Sequence, residues 1–532
     1  MSPSGFISRL LQKISSSSLP PIERPAPITW EPGLILDLEQ RILPHYLPQC
    51  RWFGGKSLSL QAIEIIQDTI FPGTDVHVLL VKTTFSDGAP EQYLLPLCLL
   101  HGPQAATFMA TSPNKVLGHW RDDQMLCDAL QTSEFQRALF MALIGRAPLD
   151  SSFGLILESP PQHDERELDK AASQARILSG EQSNTSISYA DRWLVKFFRK
   201  FEVGIHPEVE MTQHLTRHHF QVPPFLSALN LPLDDGTGVA AMLTHYTPHQ
   251  NDGWTFTLEA LRQLFAQVIE SPPSHHTDRQ DEILGSSYPA RSSQLGRLTA
   301  RMHIALAATS DDPNFHPLPF TPQDSRSLCE AMRANATRVL TELQSQFTRL
   351  PEPSQTMARE VLETRQVLLE AFDKLSQKTI ECSLIRVHGD FHLGQTLNTG
   401  TDFVIIDFEG EPRLPLNQRR LPRPALRDVA GMVRSFEYAA SAALHEAPAE
   451  EHPLLAPWAQ AWSDTVVQAY LHAYFSTAQG QSFLPHPPAS TQLLLDLHIL
   501  DKALYEIGYE LSYRPHLVPI PLRAVARLLK TI

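Results

Sequence analysis

Cysteine is scarce in this sequence. Cys50, Cys98, Cys127, Cys329 and Cys382 are spread through 532 positions with no C-x-x-C pair. That spacing argues against a zinc cluster or a disulfide framework and fits a reducing cytoplasm. Long hydrophobic runs are missing too. The best one, Tyr93 to Leu100, is broken by Pro96, and nothing approaches the roughly 20 apolar residues that cross a bilayer. Arg9 and Lys13 interrupt the apolar stretch before the four serines at 15–18, so no signal-peptide core is expected there. Basic residues are outnumbered: 44 Lys and Arg against 58 Asp and Glu give a formal charge of -14. A nucleic-acid binder would show a basic footprint. A nucleotide is still compatible, because a few local cations suffice for a triphosphate. No internal repeat is evident.

What is present is a globular composition, 42% hydrophobic and 19% charged, with length for roughly two to four folding units. One stretch organises the rest. Arg386-Val387-His388-Gly389-Asp390-Phe391-His392-Leu393-Gly394-Gln395 is followed by the β-branched run Phe403-Val404-Ile405-Ile406, then Asp407-Phe408-Glu409-Gly410-Glu411-Pro412. Phosphoryl transfer needs one group to orient the attacking hydroxyl and others to hold Mg²⁺ on the phosphates. A kinase catalytic loop supplies an Asp, an amide five residues on, and a second Asp after the next strand. Asp390, Gln395 and Asp407 have that spacing. Asp390 is the candidate base, and Gln395 and Asp407 offer the oxygen ligands that magnesium prefers. Glu409 joins them as a ligand of the same or a second ion. Glu411 is expected to pair with Arg413 or Arg419. The bland alternative is a hairpin with Asp390 as an ordinary turn residue.

Upstream, a strand from Ala175 to Leu178, a Ser-rich turn and the strands Ile187–Tyr189 and Trp193–Phe198 follow one another. Hydroxyls and backbone N–H groups of Ser183, Asn184, Thr185 and Ser186 can donate to phosphate oxygens, although any turn looks similar. Lys196 sits among Leu194, Val195, Phe197 and Phe198, where an ammonium needs a partner or must snorkel. A kinase Lys grips phosphates and is held by a helical Glu. The helix opened by His206-Pro207-Glu208 should supply it, with Glu210 first choice and Glu208 second. Near the end, Lys502, Tyr505, Glu506, Tyr509 and Glu510 fall on one face of a helix from Leu497 to Tyr513. That mixture is no core stripe and suits a sugar, with its hydroxyls and apolar ring faces; a solvated salt-bridge face is the alternative.

Other elements follow from periodicity and turn signals. A helix is expected over Leu34 to Leu43, ending before Pro44, and a hairpin of Val76–Phe85 and Tyr93–Leu97 around Asp87-Gly88. Asp122 to Leu143 reads as a helix and Phe153 to Leu157 as a strand. Further helices are expected over Leu295–Ala307, Ala331–Phe347, Ala358–Leu375 and Asp428–Ala440, the last capped by Asp428.

These residues resemble the aminoglycoside phosphotransferase group, which shares the protein-kinase fold, and within it the bacterial maltokinases, also found fused to trehalose synthase. The resemblance rests on Gln49 to Lys56, Gly180 to Ser186, Leu295 to Ala300, the two loops around Asp390 and Asp407, Arg427 to Met432, and Lys502 to Glu510. Gln395 replaces the Asn of the wider group, as is usual in maltokinases. The resemblance implies an α+β bilobal protein-kinase-like fold with an N-terminal cap subdomain and a mainly helical C-lobe. Its expected parts are an arm over 1–29, a cap over 30–100, an intermediate subdomain and N-lobe over 101–245, and a C-lobe over 246–532. It places an adenine-binding hinge at Thr244 to Pro248, with Thr244 and Tyr246 as contacts. It counts His392 with the acceptor-binding residues Lys502, Tyr505, Glu506 and Tyr509. The implied activity is phosphorylation of maltose at its anomeric hydroxyl with ATP and Mg²⁺, with trehalose synthase as a candidate partner and no nucleic acid or membrane. The rivals are a kinase of another sugar or an aminoglycoside, and a non-catalytic regulatory partner of trehalose synthase. A protein kinase ranks last, since no Ala-Pro-Glu segment follows Asp407.

Overall fold

The computed structural model describes residues 30–120, 124–158, 164–178, 183–270 and 287–530. The expected N-terminal arm, Pro160 to His163, Gly180 to Gln182 and the polar loop from Ser271 to Glu282 lie outside them. The fold mixes helices and sheets, and the chain divides into two compact units.

The first unit takes the described residues from 30 to 139 with two short returns of the chain, 183–184 and 199–201. Helices α1 (Pro32–Asp37) and α2 (Leu43–Tyr46) are joined by a π-helical turn, Leu38–Ile42. The helix therefore runs through Pro44 instead of stopping before it. In that turn the Leu43 N–H bonds back to Leu38, a wider bonding step at the place where Pro44 lacks a donor. The expected hairpin forms from β2 (His77–Phe85) and β3 (Glu91–His101), with β1 (Leu60–Ile70) paired outside β2. After α3 (Gly102–Thr111), β4 (Val116–Trp120) and β5 (Gln124–Asp128) extend the sheet to the order β1-β2-β3-β5-β4. The stretch expected as one helix from Asp122 is thus a strand followed by the shorter α4 (Ser133–Leu143). Met125, Leu126 and Cys127 are all buried in the sheet, so no alternation marked that strand. Trp52 and Phe53 are buried against Tyr93, whose hydroxyl accepts from the Gly54 N–H at 3.0 Å. They form an aromatic anchor, not a reacting group. β10 (Lys200–Phe201) adds to β3, and the fully buried Arg199 pairs with Asp128 and lies over Trp52.

The second unit holds the remaining residues. Its sheet has the order β6-β11-β12-β9-β8-β7, from β6 (Gly154–Leu157), β7 (Ala175–Ile177), β8 (Thr185–Tyr189), β9 (Trp193–Phe197), β11 (Phe225–Leu233) and β12 (Gly236–His245). Before β7 comes α5 (Glu165–Ser173), N-capped by Asp164. β8 and β9 are joined by Ala190, Asp191 and Arg192; Ala190 and Asp191 are left-handed with φ of 53° and 50°, and the Arg192 N–H bonds the Tyr189 carbonyl, consecutive positive φ angles being common in hairpin turns. Lys196 therefore faces Ser186 on one neighbour and Met242 on the other. α6 (Pro207–Arg217) follows, with Pro in its first turn.

The helical part contains α7 (Gly253–Glu270), α8 (Ser287–Leu306), α9 (Pro322–Gln346), α10 (Glu352–Glu363), α11 (Arg365–Ser376), α12 (Leu416–Arg419), α13 (Leu426–Glu446), α14 (His452–Thr477), α15 (Pro488–Tyr513) and α16 (Pro519–Leu528). α9 starts well before Ala331, at a capping box of Thr321 and Asp324. α13 starts before Asp428, which lies inside its first turn and is not its cap. One apolar core binds these helices together. Among the described residues no helix is long and apolar enough to cross a membrane. Two small sheets interrupt the helices. β14 (Leu318–Pro319) pairs with β15 (Ser383–Leu384), and β13 (Asn251–Asp252), β16 (Thr396–Asn398) and β17 (Phe403–Ile405) form the other. That second sheet carries the two loops of interest, Asp390 before β16 and Asp407 after β17.

Candidate active site

The loops touch through backbone. Gly389 has φ of 86°, and a Cβ there would sit 3.2 Å from Gly410 Cα. Only glycine takes both the angle and the approach without strain. Asp428, fully buried on α13, accepts the His388 N–H at 2.7 Å and the Gly389 N–H at 2.9 Å, while His303 approaches it at 3.2 Å. Burial pushes the Asp428 carboxyl up, but His303, His388 and the Gly389 N–H together hold it low. It acts as an ionised clamp on the bend that presents Asp390. His388 Nε2 lies 2.9 Å from the Ile406 carbonyl, tying that bend to the Asp407 loop.

Asp407 sits at φ 68°, a left-handed position uncommon for a side chain with Cβ, which surrounding contacts must maintain. Its Oδ1 accepts from Lys196 Nζ at 2.6 Å and its Oδ2 from Gln395 Nε2 at 2.8 Å. Lys196 also meets Glu208 at 2.8 Å and Glu409 at 2.7 Å. One ammonium thus stands among three carboxylates. Carboxylate oxygens of Glu208, Asp407 and Glu409 lie within 4.8 Å of one another. Carboxylates outnumber the ammonium three to one, and all the donors are hard oxygens. That set fits a divalent oxygen-seeking cation such as Mg²⁺. Burial drives the Glu208 carboxyl upward; Lys196 opposes this, and Glu409 and Asp407 add to it.

Glu210, the first-choice partner of Lys196, is elsewhere. It accepts from Arg386 and, through both oxygens, from Arg420 at 2.8 and 2.9 Å. The reason is helical rotation. Two positions apart on α6 means about 200° around the axis, so only one of the two acids can face β9. The expected partner of Glu411 is also replaced. It pairs with Arg427 at 2.5 Å, while Arg419 goes to Glu202 and Arg413 stacks 4.9 Å over Tyr505.

Asp390 is met by Lys502 Nζ at 3.0 Å. Burial raises its carboxyl, but Lys502 and the neighbouring His392 and His388 outweigh that and bring it down to about 2. At that value the carboxylate stays ionised and is able to accept a hydrogen bond. Burial alone would discharge Lys502, but Asp390 and Tyr505 hold it protonated. Burial also lowers His392, against Asp390. Its Nδ1 accepts from the Gly394 N–H at 3.1 Å, which leaves the proton on Nε2.

On α15 the five-residue polar face splits. Lys502, Tyr505 and Tyr509 stay near the surface, with Arg413 within 6.0 Å of Tyr509. Glu506 is instead taken by the buried Arg434 at 2.6 Å, and the buried Glu510 by Tyr438 and Arg514. Glu506 thereby has an ion-pair partner of its own within the fold. Arg413 joins this surface by lying over Tyr505 and Tyr509, a placement with no signal in the sequence around it.

Asn184 Nδ2 donates to Ser183 Oγ at 3.2 Å, and Asn184 Oδ1 accepts from the Arg199 N–H at 3.4 Å. Thr185 and Ser186 are buried at the start of β8. Thr244 is buried at the end of β12, and the Tyr246 N–H is spent on the Arg192 carbonyl at 2.8 Å. Tyr246 therefore has only its carbonyl and ring to offer a base.

The model of the phosphotransferase enzyme family matches residues 174–483, and that of the maltokinase N-terminal cap domain matches residues 46–131. The glucosamine kinase of Streptacidiphilus jiangxiensis is 26% identical over 352 residues, 64% of this chain and 70% of that protein. The glucosamine kinase of Mycolicibacterium smegmatis (strain ATCC 700084 / mc(2)155) is 26% identical over 367 residues, 68% of this chain and 81% of that protein. A solved glucosamine kinase in complex with glucosamine, ADP and inorganic phosphate has a TM-score of 0.59 at 20% identity, covering 89% of this chain and 94% of that one. At that identity the likeness speaks for the fold. The first family model spans more than half of the chain and includes every residue from Lys196 to Asp428 placed above, so the chain belongs to the phosphotransferase enzyme family and is a kinase with a hydroxyl acceptor.

Proposed function

We propose that this chain transfers the terminal phosphoryl group of ATP to the anomeric hydroxyl of maltose, giving maltose 1-phosphate, with Mg²⁺ as cofactor. The observation that carries the reading is Lys196 held among Glu208, Asp407 and Glu409, with Asp390 on the adjoining bend. Asp390 accepts the acceptor hydroxyl and fixes its direction. For this Lys502 shifts from the carboxylate toward the transferring group, where its charge is useful. Lys196 draws the phosphates into line, and Ser183 to Ser186 donate to their oxygens. Asp407, Gln395 through Oε1, Glu409 and Glu208 are the groups that would hold Mg²⁺, which neutralises charge developing on the phosphoryl oxygens. Catalysis is then positioning plus charge neutralisation, with no covalent enzyme intermediate. Thr244 and the Tyr246 carbonyl border the adenine.

Maltose as acceptor is supported by the cap match over 46–131 and by the Lys502, Tyr505, Tyr509 and Arg413 surface. A supply of maltose from trehalose synthase, with which the chain would associate in the cytoplasm, belongs to the same reading. Similarity to glucosamine kinases favours a second reading, an amino sugar as acceptor. Initial rates of ADP formation with maltose, glucose, glucosamine and an aminoglycoside decide between them. Maltose should give the highest kcat/KM; a higher value with glucosamine would replace it. Absence of Mg·ATP binding in calorimetry would leave the non-catalytic partner of trehalose synthase.

A further inference from the structure

The polar surface beside Asp390 runs on past a single ring. Lys502 Nζ meets Asp390 at 3.0 Å and also lies 4.7 Å over the Tyr505 ring. Arg413 stands 4.9 Å over that ring and 6.0 Å from the ring of Tyr509. Tyr509 in turn lies 4.8 Å from Tyr513, the last residue of α15, with Arg514 5.4 Å over its ring. A continuous line of contacts therefore leads from the carboxylate to the end of the helix. Exposure grows along it: Tyr505 is half-buried, Tyr509 is 36% exposed and Tyr513 56%.

The three tyrosines recur every fourth residue, so they neighbour one another on the helix surface about 6 Å apart along the axis. That step is close to the length of one glucose unit in a linear chain. Their hydroxyls have no hydrogen-bond partner among the described residues, whereas that of the buried Tyr438 is spent on Glu510. Arg413 has no carboxylate partner among the described residues either. A row of rings with apolar bodies and unspent polar tips suits pyranose rings, which have apolar faces and hydroxyls at the rim. The acids of this helix, Glu506 and Glu510, are already taken by Arg434 and Arg514. What is left to a ligand is neutral or cationic, which favours a neutral sugar over a polycationic aminoglycoside. We propose that Tyr505, Tyr509 and Tyr513 line successive sugar subsites, so that the acceptor class extends to linear oligosaccharides of the maltose series. The inference rests on the proposed transfer to an anomeric hydroxyl and adds chain length to it. That hydroxyl sits at one end of such a chain, so each added ring lies away from the reacting bond. Contacts made there hold ground state and transition state alike, which lowers KM and leaves kcat unchanged.

The test is steady-state kinetics on the full chain with Mg·ATP and with maltose, maltotriose and maltotetraose as acceptors. KM should fall from maltose to maltotetraose while kcat stays level. Tyr513→Ala, at an exposed helix end that folding tolerates, should raise KM for maltotetraose about fivefold more than KM for maltose. Tyr513→Phe keeps the ring and should keep most of the preference. One KM for all three sugars, or an equal change for short and long acceptors in Tyr513→Ala, would overturn the proposal. If ATP is consumed with glucosamine and not with maltose, the proposed function falls. Calorimetry with maltotetraose then decides the subsites separately: binding that weakens in Tyr513→Ala keeps them, and absence of binding removes them.

Discussion

Two acids on α6, Glu208 and Glu210, stand two residues apart in opposite electrostatic worlds. Around Glu208, three carboxylates share one ammonium, and acids are in excess. Around Glu210, a single carboxylate is shared by Arg386 and Arg420, and cations are in excess. Both clusters are largely buried, where an uncompensated charge is expensive. The Glu210 cluster spends its charge on tying α6 to the chain just before the His388–Asp390 bend. The Glu208 cluster gathers more carboxylates than ammonium groups beside a left-handed Asp407. An excess of carboxylates at a left-handed residue is the kind of group a divalent cation would complete, whereas the Glu210 cluster serves as a joint.

The comparison can be broken by neutralising one member of each cluster. Asp407→Asn should lower kcat about a hundred- to a thousandfold, the scale of losing one preorganised electrostatic contact. Its melting temperature should hold or rise, because a surplus charge is removed. Activity within about threefold of the parent would deny Asp407 its place. Glu210→Gln should do the reverse. It leaves Arg386, 2% exposed, without its carboxylate, and removal of one partner from a buried pair costs about 3–5 kcal/mol. Urea unfolding should show that loss, with residual activity in the folded fraction. An unchanged midpoint would mean that Arg386 is held some other way.

Glu208 and Glu210 also show where sequence reading stops. The grouping of Asp390, Gln395 and Asp407 was legible because their positions are local: a bend, a five-residue step and the end of a short strand. The structure brings Gln395 to Asp407 and ties the Asp390 bend to the strand before it. Lys196 was legible because a cation inside an apolar strand needs a partner. Which acid that partner is depends on how α6 is rotated against β9, a tertiary fact with no local trace. The partner of Glu506 was hidden for the same reason: Arg434 lies 72 positions away in the chain. In the fold, β5 was hidden inside an expected helix because its residues are buried on both faces, and periodicity then carries nothing.

A smaller effect sharpens the contrast through cation binding. Mg²⁺ should stabilise the parent protein by about 2.7 kcal/mol at a hundredfold excess over its Kd. Glu210→Gln should keep that increment from its lower baseline, and Asp407→Asn should lose most of it. Thermal melts with and without Mg²⁺ measure both. An equal increment in all three proteins would place the cation outside the Glu208 cluster.

The smallest effect concerns the one pairing that joins the acid of the bend to α15. Asp390 has its carboxyl lowered from 3.8 to about 2, with Lys502 the leading lowering influence against burial. The folded protein therefore releases this proton more readily than the unfolded chain. The stability so gained is fully present above about pH 4 and disappears as pH falls toward about 2, on the order of 2 kcal/mol. Lys502→Met removes the opposing charge and leaves burial to push the carboxyl up. The variant should lose activity at neutral pH, since the aimed hydroxyl loses a neighbouring cation, and its acid limb should move upward by about one to two pH units. The parent's rate should stay flat down to about pH 5 on this account. A pH–rate profile whose acid limb is the same in both proteins would mean that Lys502 does not set the ionisation of Asp390.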